Sequence, residues 1–501
     1  MPRFDAAQAT KHPISVLGTE RPARGRLLGV LIALREKNGY VDDAMLRSVA
    51  TLFRLAPVEV YELATFYPAV GYKLGEKTRS AVACGDLPCM LSAPQPSGCA
   101  PVACRGRCAE GSRPHRSFSV LEQVQPVFEQ PSCGFGGYVA QGGYQCFEAV
   151  RRGQITAPAI VAAARSWPRR LPVATKWPLI AAQGRPPLLV VNADESDPGT
   201  FKDCYLLETD PHGVLEGAAI TASAVGARRI VFYVRHDYAH ARKLVGHAID
   251  EASAHLSDFE FEIASSGGAY ICGEETALVA SLEGQRAIPR EKPYNLLEHG
   301  LDGHPTLVHN VETLYRLRAL CGSAPMSAVP ASRLLDPGID AISLTGRVAE
   351  PGIKLIQWRG SLRDLVIDCG GMRNGALLHG AIVGGALGSI VTGPMVDWPR
   401  DQLERHGVFL GAGGVTVFSS DDNVREIAVG MFRFLARESC GHCTPCRVGT
   451  AHAASALAAP SPDVDALADV ALAMREASIC GLGRGAGRLL TQTLSLLREP
   501  V

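Results

Sequence analysis

Apolar residues at helix-like spacing dominate the start of the chain. Between residues 26 and 67 they predict a small helical bundle. Asp42 or Asp43 is expected as the N-cap of one helix, and Pro57 stands at a first-turn position of another. A stretch rich in Gly, Pro and Cys follows, and a break in composition at residues 131–137 predicts a domain boundary.

The middle of the chain alternates continuous apolar strands with helical stretches. Strands are predicted at residues 187–194 and 228–234, and helices at 214–225 and 238–254. This pattern is typical of an α/β domain built around a partly parallel sheet. Residues 341–391 then carry short β segments and glycines, and the rest of the chain is helical again.

Charge and hydropathy exclude two classes of partner. Lys plus Arg and Asp plus Glu both total 50, so no nucleic acid or anionic membrane surface is expected as a ligand. The longest apolar runs fall far short of the roughly 20 residues that span a bilayer, so no membrane segment is predicted. The first residues carry no pattern of a secretory signal, and a soluble, cytoplasmic protein is expected.

Four of the 15 cysteines form the most specific signature in the chain. Cys440, Cys443 and Cys446 are spaced C-x2-C-x2-C, and Cys480 follows after 33 further residues. Three closely spaced thiolates with one remote thiolate are the usual ligand pattern of a [4Fe–4S] cluster. The alternative is a structural zinc site, although zinc more often uses two separated C-x2-C pairs.

Four sequence motifs together resemble one protein family. They are ESCGHCTPCRVG around the cysteines, VNADESDPGTFKD at residues 191–203, GGAYICGEETALVASLEG at 267–284 and PTLVHNVETL at 305–314. In their order along the chain they closely resemble the NADH-binding flavoprotein subunit of NADH dehydrogenase complexes, a module also found in NAD-linked hydrogenases and NAD-dependent formate dehydrogenases. The resemblance covers roughly residues 133–501.

The resemblance implies a binding site for FMN and NADH. The following residues are implied to form it: Lys176, Asn192, Asp194, Glu195, Ser196, Asp197, Tyr270, Gly273, Glu274, Glu275, Lys292, Asn310 and Thr313. The motif at residues 191–203 follows a strand, where ligands bind in open α/β sheets, and the motif at 267–284 is a glycine-rich turn that opens a helix. Asp197 and Lys292 are implied to touch NADH, and the motif at 305–314 is implied to face the phosphate. Without the resemblance, Glu274 and Glu275 are equally explained as a negatively charged first helical turn.

One loop departs from the family pattern. The family has an arginine- and glycine-rich loop that ends in Gly-Phe-Pro and Lys-Trp, whereas this chain reads ARSWPRRLPVATKWP at residues 164–178. Lys176 and Trp177 remain, but bulky residues replace the glycines and cannot give the same close backbone approach. Either the loop binds its ligands differently, or a compensated shift of reading frame has altered it.

A second group of cysteines lies near the N-terminus. Cys84 and Cys89 are spaced C-x4-C, and Cys104 and Cys108 are spaced C-x3-C. These spacings resemble the thioredoxin-like [2Fe–2S] subunit that partners the flavoprotein, so the chain resembles a fusion of the two. Only 14 residues separate the pairs, so a vestigial domain that docks partners is the alternative to a working [2Fe–2S] site, and Cys99 complicates either assignment.

The resemblance and the patterns together predict five regions. In chain order they are an N-terminal helical bundle (1–75), a shortened thioredoxin-like region (76–130), a Rossmann-like FMN/NADH-binding α/β domain (131–330), a β-grasp-like domain (331–417) and a helical [4Fe–4S] domain (418–501).

The implied activity is that of an NADH:acceptor oxidoreductase, or diaphorase, subunit. Hydride would pass between NAD(H) and FMN and single electrons between FMN and the [4Fe–4S] cluster, with no residue assigned as general acid or base. The N-terminal fusion favours a soluble hydrogenase or an NAD-dependent formate dehydrogenase over the respiratory complex. Of these two, the formate dehydrogenase is preferred, because hydrogenase diaphorase subunits tend to be longer, with a fuller N-terminal domain. The implied partners are a thioredoxin-like [2Fe–2S] subunit and a large molybdenum and iron–sulfur subunit, or hydrogenase subunits. The alternative of another class is a non-catalytic electron-relay or assembly subunit without flavin.

Overall fold

The computed structural model describes residues 23–72, 82–92, 100–102, 134–167, 171–291, 295–321 and 330–498. Lys292, Cys99, Cys104 and Cys108 lie outside these described residues, so the predictions that involve them have no structural counterpart. No helix in the described ranges combines the length and the apolar character needed to cross a membrane.

The helices from the N-terminus to the parallel sheet and its surroundings are as follows: α1 Leu27–Asn38, α2 Asp43–Phe53, α3 Pro57–Phe66, α4 Leu87–Ser92, α5 Phe135–Ala140, α6 Gln145–Arg151, α7 Ala157–Ser166, α8 Val173–Ala181, α9 Lys202–Thr209, α10 Pro211–Val225, α11 Ala239–Ala252, α12 Glu275–Leu282 and α13 Val311–Leu320. The later helices are α14 Leu362–Asp368, α15 Arg400–Arg405, α16 Val424–Glu438, α17 Thr444–Ala458, α18 Val464–Ala477 and α19 Gly481–Arg498.

The strands are β1 Val82–Cys84, β2 Ala100–Val102, β3 Leu188–Ala193, β4 Arg229–Val234, β5 Glu260–Ser265, β6 Thr306–Asn310, β7 Asp340–Gly346, β8 Gly352–Ile356, β9 Leu378–Val383, β10 Ser389–Thr392 and β11 Gly414–Ser419. Strands β1 and β2 pair in parallel.

Local signals at the helix starts explain the N-terminal bundle. The Asp42 side chain accepts a hydrogen bond from Met45 N at the start of α2, and Pro57 is the first residue of α3. Glu59 accepts from Ala56 N and completes the start of α3. The sequence therefore predicted both starts correctly, with Asp42 and not Asp43 as the cap.

A four-stranded parallel sheet in the order β5-β4-β3-β6 forms the centre of the α/β region. Its apolar side chains alternate between the two faces, as the two-residue period of a strand requires. Val190 and Val308 face the N-terminal and C-terminal bundles, whereas Val191 and Leu307 face the layer formed by α5 to α11. Both faces are covered, which explains why the strands read as continuous apolar runs.

A second, mixed sheet follows in the order β10-β9-β11-β7-β8. Its core includes Ile342, Val383 and Val417, and α14 covers it with Leu362 and Leu365. Helices α16 to α19 then form the C-terminal bundle, whose core is continuous with that of the N-terminal bundle. The predicted fold class, with its parallel sheet, helical N-terminal bundle and helical C-terminus, is confirmed.

Candidate functional site

The carboxyl end of β3 is tied directly to the glycine-rich turn. Asn192, near the end of β3, donates from Nδ2 to Gly273 O at 2.9 Å. Its Oδ1 accepts from Asp194 N at 3.2 Å, which turns the chain after the strand. A Cβ at Gly273 would lie 3.3 Å from Asp194 O, so the turn approaches the strand end closely. The VNADES segment and the glycine-rich turn therefore form one surface.

Asp194 is a buried carboxylate with one oxygen to spare. Its Oδ1 accepts from Ser196 Oγ at 3.0 Å and from Ser266 Oγ at 2.7 Å. Burial raises the pKa of Asp194 to about 6, although the two serines and Arg235 act against this. Oδ2 is buried and has no hydrogen-bond partner among the described residues. It is an acceptor available to a ligand hydroxyl or N–H group.

Glu195 points into the protein and caps a helix. Its carboxylate accepts from Asp203 N and Cys204 N at 3.0 and 3.1 Å, in the first turn of α9, and from Tyr238 OH at 3.2 Å. Burial, together with the nearby charge of Asp203, raises its pKa to about 8. These three bonds reach Oε2, and Oε1 also accepts from Asp203 N at 3.2 Å, so described protein groups contact both carboxylate oxygens.

Asp197 joins the α/β domain to the second sheet. Its Oδ1 accepts from Ala386 N at 2.7 Å, in the turn between β9 and β10. Gly385 has φ of +84°, and a Cβ there would lie 2.6 Å from Asp197 Oδ2. Only glycine therefore allows this contact. Asp197 thus stands at the junction of two domains.

The helix after the glycine-rich turn carries the paired glutamates. Glu274 is the N-cap of α12, since its side chain accepts from Thr276 N at 3.0 Å and Ala277 N at 2.8 Å. Glu275 accepts from Lys176 Nζ at 2.5 Å, and the same ammonium group donates to Val308 O at 2.9 Å. Glu274 therefore stabilises the start of a helix, whatever its role toward a ligand. Glu275 and Lys176 connect α8 with the glycine-rich turn and with β6.

The end of β6 forms a second helix start. Asn310 caps α13 by accepting from Glu312 N at 3.0 Å, and its Nδ2 donates to Asp203 Oδ2 at 2.6 Å. Thr313 is partly buried in the first turn of α13. The buried Lys202 lies beside them, with Nζ 2.6 Å from Asp203 Oδ1 and 3.3 Å from Glu312 Oε2. The two carboxylates neutralise the charge of Lys202, so the helix start of α13 is the feature of this strand end that suits an anionic ligand.

His309, in β6, is a buried histidine that the sequence analysis did not single out. Its Nε2 accepts from Trp177 Nε1 at 3.0 Å, so the proton of the neutral ring is on Nδ1. Burial, with a smaller contribution from Lys176, lowers the pKa of His309 to about 3, which keeps the ring neutral. Nδ1 is buried without a partner among the described residues. The only available signal was the strand alternation, which directs residue 309 to the face opposite Val308.

The four cysteines of the C-terminal signature converge on two helix starts. Cys440 follows α16, Cys443 is the N-cap of α17, and Cys446 lies in the first turn of α17. Cys480 directly precedes α19, and a Cβ at Gly483 in that helix would lie 2.9 Å from Cys446 Cβ. The structure therefore brings the remote cysteine to the other three.

Backbone amides and a serine hydroxyl contact these thiols. The amides of Leu482 and Gly483 hydrogen-bond to Cys480, and Ser439 Oγ lies 3.4 Å from Cys446 Sγ. Burial raises the pKa of Cys446 to about 12, so binding of a metal cluster has to displace the thiol proton. No three His, Cys, Asp or Glu side chains in the described ranges are gathered closely enough to hold a single metal ion.

The donor sets fit the two resident groups implied by the motifs. Four thiols on two loops, with backbone amides directed at sulfur, provide the ligands of a [4Fe–4S] cluster. At the sheet edge, the spare acceptor of Asp194 and the spare donor of His309 mark positions for a polar ligand. The ribityl hydroxyls and phosphate of FMN offer groups of both kinds. The residues present therefore fit both groups.

The N-terminal cysteine loop is packed onto the C-terminal bundle and the second sheet. Cys84 and Cys89 are both buried. Asp86, between them, accepts from Arg437 Nη2 at 2.7 Å, and Ser92 Oγ accepts from Gly346 N at 3.2 Å. This loop therefore contacts both α16 and β7. A [2Fe–2S] site that also uses Cys104 and Cys108 remains a prediction.

Family models match most of the chain in three parts. Residues 15–97 match a thioredoxin-like [2Fe–2S] ferredoxin, and residues 169–319 match the Nuo51 FMN-binding domain. Residues 426–501 match the NADH-ubiquinone oxidoreductase-F iron–sulfur binding region. The first match includes Cys84 and Cys89 but ends before Cys104, and the second begins inside the altered loop.

Curated relatives and solved structures agree with these matches. The F subunit of NADH-quinone oxidoreductase from Aquifex aeolicus is 35% identical over 346 residues, which are 66% of this chain and 80% of that protein. The F 2 subunit of NADH-quinone oxidoreductase from Rhizobium meliloti is 37% identical over 62% of this chain and 79% of its own length. A chain of an NAD+-reducing [NiFe]-hydrogenase in the H2-reduced state shares the fold with a TM-score of 0.75 and 27% identity, covering 96% of this chain and 93% of the other.

These findings confirm the family and the cofactors that the motifs predicted. An FMN-binding domain, a [4Fe–4S] region and a thioredoxin-like [2Fe–2S] domain are all present along the chain. The roles of the individual site residues stay predictions. The chain belongs to the family of NADH-oxidising flavoprotein subunits that includes the F subunit of NADH-quinone oxidoreductase and that carries FMN and a [4Fe–4S] cluster.

Proposed function

We propose that the chain moves hydride between NAD(H) and FMN and single electrons between FMN and the [4Fe–4S] cluster. The supporting observation is a direct link between the two sites. Tyr270 N, in the glycine-rich turn, donates to Glu438 Oε2 at 3.0 Å, and its ring packs on Phe434 at 5.3 Å between centroids. Glu438 ends α16, two residues before Cys440. The turn that would hold the flavin is thus attached to the loop that would hold the cluster.

The residues of the chain contribute binding and orientation. Asn192 and Asp194 would present an amide and a carboxylate to the flavin, and Asn310 with the first turn of α13 would face its phosphate. Glu275 and Lys176, held together at 2.5 Å, would close the side where nicotinamide stacks. FMN, when bound, supplies the conversion between a two-electron hydride and single electrons. No general acid or base is needed for the hydride step.

The retained motifs support a flavin-binding protein over a relay subunit without flavin. A pocket that had lost its flavin would have no physical reason to keep a buried carboxylate with an unpartnered oxygen, as at Asp194. The relay alternative is based on the bulky residues at 165–171, of which residues 168–170 lie outside the described ranges. Flavin content separates the two functions.

The test is an assay of the full chain after anaerobic reconstitution with FMN, iron and sulfide. Flavin absorbance together with NADH:ferricyanide turnover is the expected result, and it would also show that the altered loop is tolerated. A cluster spectrum without flavin and without turnover would overturn the proposal in favour of a relay subunit. Resequencing the gene across residues 164–178 tests the frame-shift alternative independently.

For the holoenzyme, we propose an NAD-linked hydrogenase or formate dehydrogenase located in the cytoplasm. The N-terminal fusion supports this pair over the respiratory complex. The similarity to the hydrogenase chain extends over 93% of that chain and includes the N-terminal region, so it supports the hydrogenase type. The preference for formate dehydrogenase was based on hydrogenase subunits being longer than this chain. Because the two chains cover 96% and 93% of each other, this hydrogenase chain is not much longer, and the length argument no longer applies.

Purification of the native complex through a tag on this chain decides between the two. Hydrogen-dependent reduction of NAD+ with nickel in the preparation identifies the hydrogenase. Formate-dependent reduction with molybdenum or tungsten identifies the formate dehydrogenase. A preparation that reduces NAD+ with neither donor would contradict both assignments.

A further inference from the structure

The guanidinium group of Arg286 contacts the loop of the first cysteine. Arg286 follows α12 and donates from Nη2 to Cys440 O at 2.6 Å. Its side chain is 31% exposed, and its Nε is buried without a partner among the described residues. Arg286 thus connects the segment after the glycine-rich turn with the cluster loop, on a different path from the link between Tyr270 and Glu438.

Two residues of the N-terminal bundle hold this guanidinium in place. Glu62 Oε1 accepts from Arg286 Nη1 at 3.2 Å, and the ring of Phe66 lies 4.9 Å from the guanidinium carbon. Both residues belong to α3. Tyr67, the next residue, donates from OH to Gln285 O at 2.6 Å and anchors the chain beside Arg286. The bundle is therefore part of the environment of the cluster loop.

The charge of Arg286 lies close to the position of the cluster. Arginine stays protonated at all relevant pH values, and here its nearest polar contact on the cluster loop is a neutral carbonyl. Glu62, its ion-pair partner, is 51% exposed, so solvent screens much of the opposing charge. An electron added to the cluster increases the negative charge there, and a nearby positive charge stabilises that state.

We propose that Arg286 is a positioning residue that fixes the Cys440 loop and raises the reduction potential of the [4Fe–4S] cluster, with Glu62 and Phe66 setting its position. This inference rests on the proposed function, because it requires the cluster. It makes the N-terminal bundle a determinant of the electron-transfer step and not only a docking module.

Arg425 provides a matched control within the C-terminal bundle. It lies at the start of α16, at the opposite end from Cys440, and donates from Nε to Leu457 O at 2.7 Å. Like Arg286, it is an arginine bound to backbone carbonyl groups. A substitution there removes the same charge and a similar hydrogen bond, but far from the cluster along the helix.

The experiment is an EPR-monitored redox titration of the cluster in the reconstituted full chain. We expect a lower midpoint potential in Arg286→Gln, a value near wild type in Arg286→Lys, and no shift in Arg425→Gln. Glu62→Gln keeps an oxygen that can accept from Arg286 Nη1, so Arg286 should stay in place. The variant should shift the potential in the opposite direction and by less, since it removes a screened negative charge. This variant also keeps the proposal testable if Arg286→Gln does not fold.

Three results would overturn the inference. They are an unchanged potential in Arg286→Gln, an equal shift in Arg286→Gln and Arg425→Gln, or a downward shift in Glu62→Gln. A wild-type chain without a [4Fe–4S] signal would overturn the proposed function as well, whereas a normal signal with unshifted variants would overturn only the role of Arg286.

Discussion

Neighbouring carboxylates in the VNADES motif occupy different environments. Asp194 keeps one oxygen without a partner among the described residues, whereas Glu195 is bound by backbone amides of α9 and by Tyr238. Burial raises the pKa of both groups, to about 6 and about 8. The motif therefore combines a carboxylate that has an unpartnered oxygen with a helix cap, although the sequence presents both as candidates for binding flavin.

Asp194→Asn should stabilise the flavin-free protein in a pH-dependent way. An acid whose pKa is raised on folding contributes stability below its unfolded pKa, and this contribution is lost as pH rises through the folded pKa of about 6. Asparagine does not ionise, so the variant does not lose this stability at high pH. Its melting temperature should exceed the wild-type value at pH 8, by an amount that corresponds to about 1–3 kcal/mol of unfolding free energy. The difference should shrink at pH 5. Asp258→Asn, at an exposed position, serves as the control and should change the stability at pH 8 by no more than about 0.5 kcal/mol. A lower melting temperature of Asp194→Asn at pH 8 would contradict this account.

Sequence reasoning identified residues within motifs but missed residues that act across the fold. Asn192, Asp194 and Asn310 were found because their motifs follow strands. His309 and Arg286 were missed because their partners, Trp177 and Cys440, lie 132 and 154 residues away. Such pairings depend on tertiary packing, which a single sequence does not reveal.

At the level of elements, the N-cap of helix α12 is expected to have both a structural and a functional role. Glu274 satisfies two N–H groups that would otherwise be unpaired at the helix start. The resemblance places the same residue among the FMN and nicotinamide contacts. Capping and ligand binding can be separated, because a serine can cap the helix but cannot provide a carboxylate.

Replacement of Glu274 should separate stability from turnover. Glu274→Ala is expected to cost about 1 kcal/mol of stability through loss of the cap, and Glu274→Ser should recover most of it. NADH:ferricyanide turnover should fall by about tenfold or more in both variants, equivalent to at least about 1.4 kcal/mol of barrier. Ser361→Ala removes the cap of the distant helix α14 and should lower the melting temperature without affecting turnover. Recovery of turnover in Glu274→Ser would leave Glu274 with a purely structural role.

Helices and strands were predictable where a local signal defines them. The Asp42 cap, the Pro57 start and the apolar strands β3 and β4 all formed as expected, within one or two residues. The docking of the Asp86 loop onto α16 was not predictable, since it depends on an ion pair with Arg437, 351 residues away.

The whole molecule is organised around a core that three regions share. Leu31 of the N-terminal bundle, Val190 of the parallel sheet and Leu435 of the C-terminal bundle belong to the same cluster of buried apolar residues. Tyr67 is only 1% exposed, and its ring packs against Gly267 in the glycine-rich motif. The N-terminal bundle should therefore stabilise the flavin and cluster sites in addition to any role in binding partners.

Gly267→Ala should weaken this docking. A Cβ at Gly267 would lie 1.9 Å from Tyr67 Cδ1, and the hydrogen bond from Tyr67 OH to Gln285 O restrains the ring. We expect a destabilisation of about 1–3 kcal/mol, together with faster proteolytic release of the bundle and lower flavin retention. Gly246→Ala, in helix α11 with its nearest atom at 3.7 Å, is the control and should be neutral or stabilising. If Gly267→Ala behaves like the control, the bundle is not tightly docked.

The central claim is that NADH delivers electrons through a flavin to the cluster of Cys440, Cys443, Cys446 and Cys480 within this one chain. The most direct measurement follows flavin absorbance and the EPR signal of the cluster after addition of NADH to the reconstituted full chain and to Cys480→Ser. In the wild-type chain NADH should reduce the flavin and then the cluster. In Cys480→Ser it should still reduce the flavin, while the [4Fe–4S] signal is lost. Failure of NADH to reduce the flavin in the wild-type chain, or an unchanged cluster signal in Cys480→Ser, would contradict the account.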